Sequence, residues 1–205
     1  MTLPTDPLVH HLFTMACNNA WSNHRLLEAC SRLSQAEFIA TRTSFFPSLK
    51  STLNHILTVD WYYVDALERG LAGRPPHQEA HRFYEPEEPF ETLPMLADAQ
   101  RAVDRRLVAL CETMRADQVE LPIAMVRKSG IQHEPATRLL AHLFQHQIHH
   151  RGQAHAMLAG TPVAPPQLDE FFCANEAHLR AGELAAIGLS EARIWGATMP
   201  PPGRA

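Results

Sequence analysis

Apolar residues recur at steps of three and four along most of the chain, which is the period of an amphipathic helix. In the first such segment, Asp6-Pro7 provides an N-cap followed by proline at the first helical position. Pro135 begins a later segment, and Gly160 followed by Pro162 ends it. The pattern predicts five helices, over about residues 7–31, 49–69 (ending before Gly70), 92–115, 135–160 and 169–184.

The segments between these helices carry other signals. Residues 71–89 hold a glycine and several prolines, so we expect a long irregular connection there. Leu121–Val126 is rich in β-formers, but Pro122 and Gly130 limit it to an edge strand or a hairpin arm. We expect a loose tail at the C-terminal end.

No internal repeat or shift in composition marks a domain boundary. We therefore expect one all-α domain over residues 1–205, most simply a four-helix bundle with an additional C-terminal helix. The core of the bundle would span about residues 7–160, and the additional helix about residues 169–185.

Composition narrows the class of protein. Of the 205 residues 45% are hydrophobic and 20% charged, which is typical of a globular protein. A net charge of -4 argues against nucleic acid as a partner, and no apolar run is long enough to span a membrane. Without a signal-peptide pattern we expect a cytoplasmic protein, and its four scattered cysteines indicate no disulfide framework. Outward-facing apolar residues on several helices are compatible with a homodimer.

Histidine is the unusual component, with 13 residues, four of them close together on the fourth predicted helix. Residues four apart on a helix lie one turn above each other, so two such imidazoles can reach one metal ion. The pairs His142/His146 and His146/His150 both have this spacing. Spacing alone therefore does not choose between them.

Helical geometry favours the second pair. His150 lies about 55° and His146 about 95° from the apolar direction of this helix, whereas His142 and His149 lie about 135° and 155° away. A third ligand would come from another helix, and His55 in the second helix is the best candidate. His10, His11 and His24 on the first helix remain alternatives.

Other polar residues share the apolar side of the fourth helix. Gln147 and Arg151 would be costly there unless paired, and we expect a structural network with an Asp or Glu from the first or third helix. The alternative places Arg151 beside a bound anion such as a substrate carboxylate. His155 is expected to be packed and hydrogen-bonded, and Tyr62 is a candidate for lining a cavity beside His55.

The run His146–Gln153, with Asn54–Leu57 upstream, resembles the DinB/YfiT-like family of helical metalloproteins. Ala20–Asn23 and Pro165–Phe171 are similar to two further segments of that family, so the resemblance covers about residues 7–185. It implies an up-down-down-up four-helix bundle that holds a divalent metal, commonly nickel or zinc, through three histidines. At the matching positions of this chain these are His55, His146 and His150.

Three histidines leave at least one position open on a metal ion for water, thiolate or substrate. Relatives in the family include transferases and isomerases that use a low-molecular-weight thiol. We therefore expect a metal-dependent transferase or hydrolase acting on a small molecule, with no general base assigned. The alternative is a non-catalytic protein in which the ion staples two helices and the biology lies in an interaction surface or a stress response. Imidazole ligands do not decide which metal binds, and the catalytic residues and substrate stay open.

Overall fold

The computed structural model describes residues 3–196, most of which are helical. The helices are α1 (Pro7–Cys30), α2 (Gln35–Ile39), α3 (Leu49–Leu71), α4 (Leu93–Thr113), α5 (Ala136–Ala159), α6 (Ala177–Ala186) and α7 (Glu191–Trp195). Strands β1 (Pro122–Arg127) and β2 (Gly130–Pro135) form a two-stranded sheet, and short 3-10 turns interrupt the connections. The predicted helical fold is therefore confirmed, with a small sheet added.

The four long helices α1, α3, α4 and α5 enclose a shared apolar core. Helix α1 packs against α4 and α5, and α3 packs against the same two helices. Residues of the predicted apolar faces, such as Phe13, Trp21, Leu57 and Leu140, are almost fully buried. Burial of each large apolar side chain contributes about 1.5–3 kcal/mol, so this core holds α3 and α5 side by side.

Helix α1 shows how the local sequence signals act. The Asp6 carboxylate accepts hydrogen bonds from the backbone N–H groups of Leu8 and Val9, at 2.9 and 3.0 Å, so the predicted N-cap is present. Polar residues such as His11 lie on the outer face of the helix. Within residues 3–196, none of the helices combines the length and the hydropathy needed to cross a membrane.

The predicted strand is one arm of a hairpin that precedes α5. Its partner strand begins at Gly130, whose φ of +117° suits glycine in the turn. Ile123 and Met125, two residues apart on β1, are fully buried against the helices. A Cβ added to Gly70 would lie 2.5 Å from Cδ1 of Ile123, so α3 carries glycine where the hairpin crosses it. The expectation that the helix ends before Gly70 was wrong, because this glycine serves packing rather than termination.

The fifth predicted helix begins later than expected. Residues 170–176 form two 3-10 turns, and α6 starts only at Ala177. The buried guanidinium of Arg180 donates hydrogen bonds to the carbonyl oxygens of Glu170 and Cys173, and Phe171 packs against Trp21. These tertiary contacts outweigh the local helical preference. The predicted loose tail is partly ordered, because it contains α7 and buries Ile194; residues 197–205 lie outside the described residues.

Candidate metal centre

Three histidines from two helices meet at one point. His55 lies midway along α3, and His146 and His150 lie one turn apart on α5. One ring nitrogen of each falls within 4.8 Å of the others, and the Nε2 atoms of His55 and His146 are 3.0 Å apart. Two nitrogens bound to a tetrahedral zinc-like ion would be ~3.3 Å apart, so the spacing is close to that of a coordination site. The structure therefore brings together the three histidines selected from the sequence, near enough to bind one metal ion.

The predicted orientations of the histidines on α5 are confirmed. His150 is buried and His146 half-buried, whereas His142 and His149 are exposed. His142 stacks on Tyr63, with ring centroids 5.3 Å apart, and is not one of the three clustered histidines. The 100° step of the helix was enough to sort these four side chains correctly.

The surroundings of the cluster keep its imidazoles neutral. Burial, together with a smaller effect of the neighbouring His150, lowers the pKa of His55 to about 4. Burial and the neighbouring histidines lower the pKa of His146 to about 3, and burial also lowers the pKa of His150. A neutral imidazole has a free lone pair, so all three side chains are in the state that binds a metal ion at pH 7.

A short chain of hydrogen bonds orients His150. Its Nδ1 lies 2.9 Å from Oε1 of Gln153, and Nε2 of Gln153 lies 3.0 Å from Nε2 of His149. With Nδ1 engaged, the Nε2 atom of His150 is the one available to a metal ion. Gln153 was not selected from the sequence as a site residue, although its position one turn after His150 is the signal that could have found it.

A cavity of about 890 Å³ opens beside the cluster, and His55 lies in its wall. Phe46, from the segment before α3, covers the histidines from one side, with its ring centroid 4.3 Å from that of His55. Tyr62 lines the same cavity, as expected from its place next to His55 on the helix, and so does Arg127 from the hairpin. Phe46 carries no local sequence signal, because only the fold brings its segment to the site.

The other histidines considered as ligands from the sequence do not belong to the cluster. Nε2 of His10 is 2.9 Å from the carbonyl oxygen of Ile194, and Nε2 of His155 is 2.9 Å from that of Pro166, so His155 is hydrogen-bonded as expected. Neither His11 nor His24, the remaining alternatives on α1, belongs to the cluster. Within the described residues, His55 is therefore the third histidine that meets the α5 pair.

Directly behind the cluster, the four long helices share a buried polar network. It consists of seven side chains: Asn19, Asn23, Asp60, Gln100, Asp104, Gln147 and Arg151. Arg151 donates to Oδ1 of Asn19, to Oδ1 of Asn23 and to Oε1 of Gln147. The two asparagines donate in turn to Asp104, and Gln100 donates to Asp60 and to Asp104. Arg151 thus belongs to a structural network, as expected, but asparagines connect it to the carboxyl group on α4.

Burial is the main cause of the shifted pKa values in this network. It raises the pKa of Asp60 to about 6, and burial together with Asp60 raises the pKa of Asp104 to about 8. Burial therefore favours one proton held between these two coupled carboxyl groups, and the remaining negative charge balances Arg151. The network is close to neutral overall, which lowers the cost of burying it.

Comparison with known proteins agrees with this picture. Residues 7–182 match the model of the DinB family. No curated protein sequence matches the chain significantly. Because the family match spans most of the 205 residues, including the three clustered histidines, the chain belongs to the DinB family.

Proposed function

We propose that the protein is a divalent-metal-dependent enzyme of the transferase or hydrolase type. His55, His146 and His150 would hold the ion, nickel or zinc, and the adjoining cavity would take a small-molecule substrate. The observation that carries the proposal is the cluster of three buried or half-buried imidazoles, of which His55 lies in the wall of a cavity of about 890 Å³. Membership of the DinB family supports the same assignment.

The donor set fits a borderline divalent metal. All three imidazoles have lowered pKa values, so no proton has to be displaced near pH 7 before a metal ion binds. Nε2 of His146 lies 3.0 Å from Nε2 of His55, so these two nitrogens face the point where an ion would bind both rings. A bound ion would act as a Lewis acid and lower the pKa of a water or thiol placed beside it.

The cavity favours catalysis over a purely structural ion. A stapling metal would be enclosed by its ligands, but His55 faces a space of the size that binds small molecules. Phe46 shields the histidines on one side, which excludes water and strengthens electrostatic interactions inside the site. No side chain is assigned as general base.

The proposal extends to the finer features expected from the family. The four long helices would form its up-down-down-up bundle in a single domain over residues 1–205, with α6 as the additional helix. Low-molecular-weight thiols are the first substrates to screen. We also propose a cytoplasmic location, without nucleic-acid or membrane partners, and a homodimer formed through exposed apolar side chains such as Leu8 and Met95.

Elemental analysis tests the proposal. Untagged protein would be purified without chelators beside His55→Ala, His146→Ala and His150→Ala, with the exposed His11→Ala as the matched control. We expect about one nickel or zinc ion per chain in the wild type and the control, and loss of that ion in each of the three variants. Circular dichroism shows that the variants are folded. A folded wild type that stays metal-free after incubation with both ions contradicts the proposal.

Activity is tested separately on the metal-loaded protein. Thiol-transfer and hydrolysis assays should show turnover that a chelator abolishes and that the ion restores. A tightly bound metal without any turnover in these assays would favour the stapled, non-catalytic alternative.

A further inference from the structure

We propose that Arg127 binds the carboxylate group of a small organic substrate in the cavity that contains His55, an inference that rests on the proposed function. Arg127 is not part of the three-histidine cluster. Its position, its partners and the walls around it carry the inference.

The hairpin points Arg127 inward. Side chains two residues apart on a strand share a face, so Arg127 lies on the same face of β1 as the buried Ile123 and Met125. Arg127 is the last residue of β1, where the strand leaves the core and reaches the cavity. A charged side chain on the core-facing side of a strand is costly unless it has a partner. The groups around Arg127 therefore indicate what it can bind.

The partners of Arg127 are aromatic. Its guanidinium lies 5.2 Å from the ring centroid of Tyr62 and 5.7 Å from that of Tyr63. It also donates a hydrogen bond of 3.1 Å to the hydroxyl of Tyr63, while the hydroxyl of Tyr62 donates to the carbonyl of Val126. No carboxylate oxygen of the described residues lies within 4.0 Å of Arg127. The planar guanidinium is thus held in place on two rings, with donor capacity left for an anion.

Arg127 and His55 both line this cavity, together with apolar side chains that form its floor. Phe46, Tyr62 and Tyr84 provide that floor, and Lys128 adds a second positive charge at the exposed rim. A substrate that spans the cavity would place its carboxylate on Arg127 and its apolar body on the rings. Its other end would then face His55.

The acidic residues of the cavity favour a carboxylate over a phosphate. Glu88 is neutralised by Lys50, at 3.1 Å, and by a hydrogen bond from Ser51. Glu85 and Glu87 remain on the wall and would repel a dianion more strongly than a monoanion. A single guanidinium fork, with the second cation Lys128 only at the exposed rim, suits one carboxylate group.

Binding of benzoate, a small aromatic carboxylate, tests the inference in the full-length protein. Titrations followed by NMR would compare the wild type with Arg127→Gln, and with Arg105→Gln as a control that removes an exposed arginine outside this cavity. Benzamide, which is uncharged, and phenyl phosphate serve as matched probes. Each titration is run with chelator and with added zinc.

With chelator, we expect Arg127→Gln to weaken benzoate binding about 10- to 100-fold, the range expected for a lost charged hydrogen bond. The control should bind as the wild type does, and Arg127→Lys, which keeps the charge but not the fork, should fall between them. Benzamide should bind equally weakly to all of these proteins, and phenyl phosphate should bind more weakly than benzoate. If Arg127→Gln does not fold, the test depends on Arg127→Lys alone. Benzoate affinity equal to that of the wild type in Arg127→Lys would then count against the inference.

The two proposals fail in different ways. Wild-type protein that binds no benzoate at about 10 mM, or benzoate binding that is equal in Arg127→Gln, overturns the carboxylate site. Binding that requires zinc and is lost in His55→Ala but not in Arg127→Gln also overturns it, because the carboxylate then binds the metal, and the proposed function stands. Arg127-dependent binding in a protein that takes up no metal supports the anion site and refutes the metal-dependent function.

Discussion

Replacing Arg151 with methionine would remove the only cation of the buried polar network defined above. Arg151 is 4% exposed and donates to three side-chain oxygens, on Asn19, Asn23 and Gln147. Methionine fills similar volume but donates nothing, so those oxygens lose a charged donor and the Asp60–Asp104 pair loses its balancing charge. Breaking a buried charge partnership costs about 3–5 kcal/mol. At about 2–4 °C per kcal/mol for a protein of this size, the melting temperature should fall by about 6–20 °C.

The stability lost in Arg151→Met should also depend on pH. Burial already raises the pKa values of Asp60 and Asp104, and Arg151 opposes that rise. Without Arg151 both pKa values rise further, so the folded variant binds more protons than the wild type between about pH 4 and pH 8. More protons bound in the folded state mean that the stability of the variant falls more steeply as pH rises. The difference in unfolding free energy should therefore be larger at pH 8 than at pH 5.

Urea unfolding with chelator present, at pH 5 and pH 8, provides the measurement. Arg105→Met, an exposed arginine on α4, is the matched control and should change stability by less than about 0.5 kcal/mol. A loss below about 1 kcal/mol for Arg151→Met, equal at both pH values, would refute the reasoning that this arginine balances buried carboxyl groups.

Two further predictions concern the candidate metal centre. The pKa values of His55 and His146 in the folded protein are lowered to about 4 and 3. As pH falls below about 6.5, these histidines therefore take up protons in the unfolded chain before they do so in the folded protein. The unfolding free energy of the metal-free protein should decrease between about pH 6.5 and pH 4 for this reason. Wild-type stability should therefore fall relative to His146→Gln over that range in urea unfolding, whereas the exposed His11→Gln should follow the wild type; parallel curves for all three proteins would count against a neutral cluster. Gln153→Ala should weaken zinc or nickel binding about 10- to 100-fold in competition titrations, because the ring of His150 loses its orienting acceptor. The exposed Gln145→Ala is its control, and equal affinity in both variants would show that this hydrogen bond does not orient the ligand.

Much of the candidate site could be predicted from the sequence. The angular positions on α5 separate His146 and His150 from His142 and His149, because a regular helix relates these residues by a fixed rotation. The choice of His55 depended on the family resemblance, since its orientation on an almost wholly apolar helix was ambiguous. Arg127 was accessible to the same reasoning, because it continues the alternation of Ile123 and Met125, but the short strand offered too little pattern to show which face is buried.

Local chemistry misled the prediction where distant contacts compete with it. Residues 169–176 have helical patterning, yet Arg180 and the packing of Phe171 hold them in 3-10 turns. Gly70 reads as a helix end but lies within α3, because the hairpin crosses there. In both places packing against a residue distant in the chain, Trp21 on Phe171 and Ile123 on Gly70, was stronger than the local preference.

By itself, the sequence determined the helices and the spacing of histidines along α5, because both depend on interactions within about one helical turn. Only the tertiary structure decided that His55 lies opposite His146 and His150. His55 and His146 are separated by 91 positions in the chain, and the packing of α3 on α5 brings their nitrogens to 3.0 Å. The cover formed by Phe46, the cavity reached by Arg127 and the amides that connect Arg151 to Asp104 have the same origin. Each joins segments far apart in the chain, and the shared core that places them is formed only when the whole chain folds.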